Sequence, residues 1–187
     1  MLRLTLVCHG ATAANRLATF PLDEPLEPRS LAAARAFARR GAAAIAFSSP
    51  ALRARQTAEA MNIDAVVEPA LRDCDYGRWA GQALEAVAER KPEAMAAFLH
   101  DPSARPHGGE SIDDLVARAG GWLDPLLQRR GSIVAVTHAA VIRAALIHVL
   151  RPPLDAFWRI DVPPLSATAL TSDGRRWAWR AGDARFG

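Results

Sequence analysis

Residues 132–150 run Ser-Ile-Val-Ala-Val-Thr-His-Ala-Ala-Val-Ile-Arg-Ala-Ala-Leu-Ile-His-Val-Leu, and their reading decides the fold. Ser132–Thr137 is a short apolar run rich in β-branched residues, the pattern of a strand buried on both faces. His138–Leu150 follows without a break and reads as a helix. A buried strand that passes straight into a helix, with a histidine at the junction, is the unit of a largely parallel α/β sheet. Such sheets bind ligands at the carboxyl ends of their strands.

The rest of the chain repeats this alternation. Leu2–Cys8 reads as a strand and Ala-rich Arg29–Arg40 as a helix. Ala43–Phe47 is a second buried strand, after which Ser49-Pro50 gives a helix start, Ser as N-cap and Pro at the first position, running to about Met61. Asp64–Glu68 is a third short strand. Pro69–Gly81 is a loop punctuated by Gly77 and Gly81. Gln82–Arg90 and Glu93–His100 read as helices on either side of Pro92. Ser111-Ile-Asp-Asp114 has the form of a capping box, and the helix it opens carries Ile112, Leu115, Val116, Ala119, Leu123 and Leu126 on one face, with Pro125 kinking or shortening its end. Beyond Pro152-Pro153, Ala167–Thr171 and Arg176–Arg180 read as strands joined by a Ser-Asp-Gly turn, an antiparallel addition to the sheet edge. The expected architecture is α/β, a three-layer α/β/α sandwich on a mostly parallel sheet, with residues 1–187 as one domain.

Composition narrows the functions. The apolar runs are shorter than the ~20 residues of a membrane span, and Leu4–Val7 is too short for a signal-peptide core. Cys8 and Cys74 are the only cysteines, too few for a disulfide scaffold, which points to a reducing, cytoplasmic setting. The net charge is +3 and Lys91 is the only lysine, so the excess is arginine. The arginines are dispersed among acids without a one-sided stripe, so no nucleic-acid partner is expected.

Four segments place reactive side chains just after the expected strands: 6–15 with His9, 48–58 with Arg53, 71–77 with Asp73 and 136–143 with His138. Parallel strands bring these four to one sheet edge. Together they suit phosphoryl transfer. A neutral imidazole nitrogen can attack phosphorus, and a second, protonated imidazole can stabilise charge on the transferring group. An arginine at a helix N-terminus clamps phosphate, and a carboxylic acid can protonate the leaving alkoxide.

The motifs resemble the histidine phosphatase superfamily, the phosphoglycerate mutase-like fold. They are Leu-Val-x-His-Gly-x-Thr-x-x-Asn (6–15), Ser-Ser-Pro-x-x-Arg-x-x-Gln-Thr-Ala (48–58), Leu-Arg-acid-x-x-aromatic-Gly-x-Trp-x-Gly (71–81), Gly-Gly-Glu-Ser (108–111) and Thr-His-x-x-Val-Ile-Arg (137–143), in family order. Asp23-Glu24-Pro25-Leu26 looks like the family's Asp-x-Pro-Leu loop. The resemblance implies His9 as nucleophile, His138 as its partner, Asp73 at the proton-donor position, and Arg53, Asn15, Gly10 and Thr12 around phosphate. It also implies departures. Cys8 stands where the family has the arginine of Arg-His-Gly, Asp73 replaces a glutamate, Ala139-Ala140 replace Gly-Gly, and Ala11 replaces a glutamate.

The expected function is hydrolysis of a small phosphomonoester through phosphohistidine, of the α-ribazole phosphatase or small general phosphatase type, with no cofactor and no metal. The competing reading is a degenerate member that binds an anionic ligand without efficient turnover. Asp75, His107 and Glu110 compete with Asp73 as proton donor. Arg72 and Arg143 are expected to partner carboxylates, Ser111 to cap a helix, and His100 and His148 to be ordinary. A cysteine phosphatase is excluded, because its Cys-five residues-Arg spacing from Cys8 reaches Ala14, with Arg16 two residues late. Cys8, His9, Cys74 and His138 are ligand types that suit zinc, but two reduced thiols in a half-buried pocket is the plainer reading.

Overall fold

The computed structural model describes residues 1–37 and 45–181. Six strands form one sheet: β1 (Leu2–Cys8), β2 (Ile45–Ser48), β3 (Val66–Val67), β4 (Gly131–Thr137), β5 (Ala167–Ser172) and β6 (Trp177–Arg180), in the order β3-β2-β4-β1-β5-β6. The pairings among β1, β2, β3 and β4 are parallel, and β5 and β6 add an antiparallel edge. This is the mostly parallel α/β architecture the sequence predicts.

Alternation along the central strands builds two cores. Leu2, Leu4, Leu6 and Cys8 of β1, with Ile133 and Ala135 of β4, face α6 (Ile112–Leu123) and α7 (Ala139–Leu150). Val7, Val134 and Val136 face the other way, onto Ala34 of α2 (Pro28–Ala36) and Ala54 and Ala58 of α3 (Leu52–Ala60). The smaller helices are α1 (Ala13–Leu17), α4 (Leu84–Arg90) and α5 (Pro92–His100). Among the described residues no helix is long and apolar enough to cross a membrane.

Register fixes the functional edge. Cys8 pairs with Thr137, and Ser48 with Val136. His9 N then donates to Thr137 O at 2.9 Å and Ser49 N to Val136 O at 2.9 Å, so His9, Ser49 and His138 leave the sheet side by side.

Local boundaries differ from expectation where remote partners intervene. The helix after β2 starts at Leu52, not at Pro50, because the Ser49 hydroxyl is turned to His138 and Leu52 N donates instead to Asp23 Oδ1, 2.7 Å away on a distant loop. The third strand keeps only Val66–Val67 of the expected 64–68. The helix begun at residue 28 is described to Ala36. Expected helical residues 38–40 and strand residues 43–44 lie outside the described residues. Ser111 closes the expected capping box with Asp114.

Candidate active site

His9 follows β1 and is buried. Its Nδ1 lies 2.7 Å from Gly10 O, which can only accept, so Nδ1 carries the ring proton. Nε2 is then a lone-pair nitrogen, and Arg53 Nε donates to it at 3.3 Å. Burial, aided by the Arg53 charge, lowers the imidazole below its ordinary range, so the ring is neutral at pH 7. This is the state a nitrogen nucleophile requires.

Arg53 is held in the first turn of α3 by its other nitrogens. Nη1 donates to Leu22 O at 2.6 Å and Nη2 to Asp73 Oδ2 at 2.7 Å. His138 stands at the N-terminus of α7 with its ring centroid 5.0 Å from that of His9. Its Nε2 is 2.7 Å from Ser49 Oγ, which itself accepts from Ala51 N. The Ser49 O–H is free to donate to Nε2, which leaves the His138 proton on Nδ1, 3.3 Å from Asp73 Oδ2. That contact has ion-pair distance without hydrogen-bond alignment.

The charge states differ from two expectations. Burial pushes His138 down to about 3 against the pull of Asp73, so this ring is neutral at rest rather than protonated. Burial alone would raise Asp73, but the His138 Nδ1–H dipole and, above all at neutral pH, the Arg53 guanidinium 2.7 Å from Oδ2 outweigh it and hold the carboxyl below the usual range. Asp73 is therefore ionised at rest and is not yet a proton donor.

His9, Arg53, Asp73 and His138 thus come together. Gly10, Thr12 and Asn15 serve the adjoining loop. Gly10 N donates to Thr57 Oγ1 at 3.0 Å, and a Cβ on Gly10 would lie 2.5 Å from Ser30 Oγ, so a larger residue would push that hydroxyl off Ala11 N. Asn15 Oδ1 accepts from Thr12 N at 2.9 Å, and the single proton of the Thr12 hydroxyl goes to Glu24 Oε1 at 2.9 Å, with Asn15 Oδ1 the more distant acceptor at 3.2 Å. Asn15 is exposed.

Other candidates are committed elsewhere. Glu110 is gripped by Arg118, whose Nε and Nη2 each donate at 2.7 Å, and Arg72 approaches it at 3.5 Å. His107 is enclosed by Tyr76, Trp79 and Phe98, with ring centroids 6.2, 5.1 and 5.2 Å away. Asp75 Oδ1 accepts from Gly77 N. Cys8 is pushed up to about 12, chiefly by burial and then by Asp73, and Cys74 is raised above the ordinary thiol range by burial and Asp73. Both are protonated at neutral pH, opposite to what a nucleophilic or ligating thiol needs. Among the described residues no three His, Cys, Asp or Glu side chains gather as a metal site.

Three contributors escaped the sequence reading. Ser49 orients His138, and Thr57 accepts from Gly10 N while donating to Arg53 O at 2.7 Å. Arg118 donates to the carbonyls of Ala70, Arg72 and Asp73, clamping the loop that carries Asp73. Its signal was an arginine three residues from buried Leu115, bordering the apolar face of α6. Arg143 departs from expectation, since its guanidinium meets a carbonyl and a ring rather than a carboxylate.

With this geometry, comparison with known proteins is decisive at the level of family. The model of the histidine phosphatase superfamily (branch 1) matches residues 4–183, and the chain belongs to that family. A bifunctional protein of Mycobacterium tuberculosis is 32% identical over 186 residues, covering 92% of this chain and 51% of its own length. The chain thus spans about half the length of such relatives. Phosphoserine phosphatase 1 of Hydrogenobacter thermophilus is 28% identical over 94% of this chain and 89% of its own. A mycobacterial glucosyl-3-phosphoglycerate phosphatase, solved with VO3, superposes with a TM-score of 0.84 at 26% identity, covering 98% of this chain and 99% of that one.

Proposed function

We propose that the chain hydrolyses a small phosphomonoester through a phosphohistidine on His9. The observation that carries this reading is the fixed tautomer of His9: Nδ1–H is held by Gly10 O at 2.7 Å, and the Nε2 lone pair points at a buried arginine. Phosphate entering between His9, Arg53 and His138 takes up the Arg53 donors. That weakens the Arg53–Asp73 pair and places new negative charge beside Asp73, and both changes raise its affinity for a proton. Nε2 then forms the N–P bond as the P–O bond breaks, and protonated Asp73 gives its proton to the leaving alkoxide. In the second half, Asp73 takes a proton from the water that attacks phosphorus and frees His9. The same added charge favours protonation of His138, which stabilises the transferring group. We place the substrate among phosphate esters of small hydroxy acids rather than with α-ribazole phosphate. The phosphatases similar to this chain are named for phosphoserine and glucosyl-3-phosphoglycerate.

Turnover of p-nitrophenyl phosphate by the wild-type chain tests the reading, and activity persists in chelator because His9, Arg53 and His138 supply the positive charge and donors themselves. Loss on chelation with recovery on adding zinc would contradict it.

The Cys8 departure gives a further expectation. An arginine here restores a planar fork for two phosphate oxygens, so Cys8→Arg tightens inorganic phosphate binding by roughly ten- to a hundred-fold. Cys8 is buried in the core that faces α7, so overpacking lowers stability by about 1–3 kcal/mol. Calorimetry with phosphate and thermal unfolding check both halves. A stable variant with unchanged phosphate binding would show that residue 8 no longer borders the phosphate, which favours the anion-binding reading.

A further inference from the structure

Ser49 directly follows β2 and is fully buried. Its backbone and side chain are both tied down. Ser49 N donates to Val136 O at 2.9 Å, Ser48 Oγ donates to Ser49 O at 3.0 Å, and Ser49 Oγ accepts from Ala51 N at 3.2 Å. The other contact of Oγ is His138 Nε2 at 2.7 Å, across 89 residues of sequence. Among the described residues Oγ has no further hydrogen-bond partner. A hydroxyl carries one proton, so that proton goes to Nε2, and Nε2 is the acceptor end of the ring.

The opposite end holds a proton and lacks an acceptor. Nδ1 is buried without a hydrogen-bond partner among the described residues, and Asp73 Oδ2 stands 3.3 Å away but out of line. A lone pair on Nδ1 would face a carboxylate that is ion-paired to Arg53, so both ends of the ring place the proton on Nδ1. Nδ1 also looks into the site. It faces Asp73, Asp73 meets Arg53 at 2.7 Å, and Arg53 reaches His9 Nε2 at 3.3 Å. Each Arg53 nitrogen already has a partner in His9, Leu22 or Asp73. A buried N–H without an acceptor is unfavourable and marks where one belongs.

The Ser49 bond keeps Nδ1–H in this state. Without it the ring can turn until Nδ1–H lines up with Asp73 Oδ2, and the proton is then taken up by the carboxylate. We propose that Ser49 is a positioning residue: its hydroxyl holds the His138 ring so that Nδ1–H is kept for a phosphoryl oxygen rather than for Asp73. This rests on the reading of His9, Arg53 and His138 as the phosphate site. It lets His138 donate to the transferring group while still neutral, before any proton is taken up.

The experiment compares wild type, Ser49→Ala and Ser49→Thr. Long-range proton–nitrogen NMR spectra of the wild-type His138 ring at neutral pH should show a proton on Nδ1 and none on Nε2. Inorganic phosphate, at concentrations that saturate binding by calorimetry, should move that proton downfield as it gains an acceptor. In Ser49→Ala the downfield shift should be lost, and kcat on p-nitrophenyl phosphate should fall about ten- to a hundred-fold with KM nearly unchanged. Ser49→Thr keeps the hydroxyl and should recover most of both. A purely structural role would lower the stability of Ser49→Ala without moving the proton signal or separating kcat from KM. A wild-type ring protonated on Nε2, a wild-type Nδ1 proton that phosphate does not move, or a Ser49→Ala chain with wild-type kcat and the phosphate shift intact overturns the proposal. Failure of the phosphatase reading has a different signature: phosphate gives the expected wild-type shift, but no p-nitrophenol is released. The spectra of wild type and Ser49→Ala then still decide the role of Ser49, as they do should the buried threonine fail to fold.

Discussion

Replacing His9 by alanine removes phosphatase activity, by more than about 10³-fold, and leaves the fold intact. The size follows from the role: a covalent route loses its first bond when the nucleophile is deleted, and partners that act as a unit cannot substitute for it. The fold survives because His9 stands at the end of β1, and its backbone N–H to Thr137 O, which holds the strand edge, does not depend on the side chain. The loss falls on Gly10 O and Arg53 Nε, and Arg53 keeps its bonds to Leu22 O and Asp73. Steady-state turnover of p-nitrophenyl phosphate and circular dichroism read the two halves separately. Wild-type-like turnover would remove the phosphohistidine mechanism.

The second large effect is on stability. His9, His107 and His138 are all buried and all lowered from 6.5, in each case chiefly by burial. Below pH 6.5 the unfolded chain takes up protons on these rings while the folded protein resists them. The unfolded state then binds more protons, so their contribution is full above pH 6.5 and is lost as pH falls below it. Each ring contributes a slope of up to ~1.4 kcal/mol per pH unit, and the three together up to ~4. Asp73 adds a later loss. Its folded value lies below 3.8, so its stabilisation holds above that value and disappears as pH falls further. Thermal unfolding between about pH 7 and pH 5, at fixed ionic strength, should show a steep decline. His107→Phe, whose ring the Tyr76, Trp79 and Phe98 cage can hold, should flatten the slope, by at most ~1.4 kcal/mol per pH unit, at the cost of the Gly109 N–H acceptor. Stability independent of pH over that range would contradict the burial of neutral histidines.

The elements that position the site were legible because their signals are local. The run Ile133-Val134-Ala135-Val136 can be little else than a buried strand, and parallel pairing with β1 carries His9 next to His138 without further assumption. Partners from distant segments were not legible in this way. Ser49-Pro50 has the form of a helix start, yet Ser49 is drawn off by a histidine 89 residues away and the helix is capped by Asp23, 29 residues before Leu52. Arg118 reads as an ordinary helix residue, although it holds three carbonyls of the 70–73 segment. Charge states were hidden for the same reason. Nothing local to Thr137-His138 tells that the ring will be buried enough to stay neutral, and nothing in Leu71-Arg72-Asp73 tells that Arg53 will hold the acid ionised.

The central claim is the covalent intermediate on His9, and trapping it is the most direct test. Wild-type protein mixed with excess p-nitrophenyl phosphate, quenched in alkali to preserve a phosphoramidate, and digested for mass spectrometry should yield one phosphoryl group on the peptide that contains His9, and none in the His9→Ala chain. A phosphoryl group on another residue, or p-nitrophenol released in single-turnover conditions with no phosphopeptide at any time point, would contradict the account.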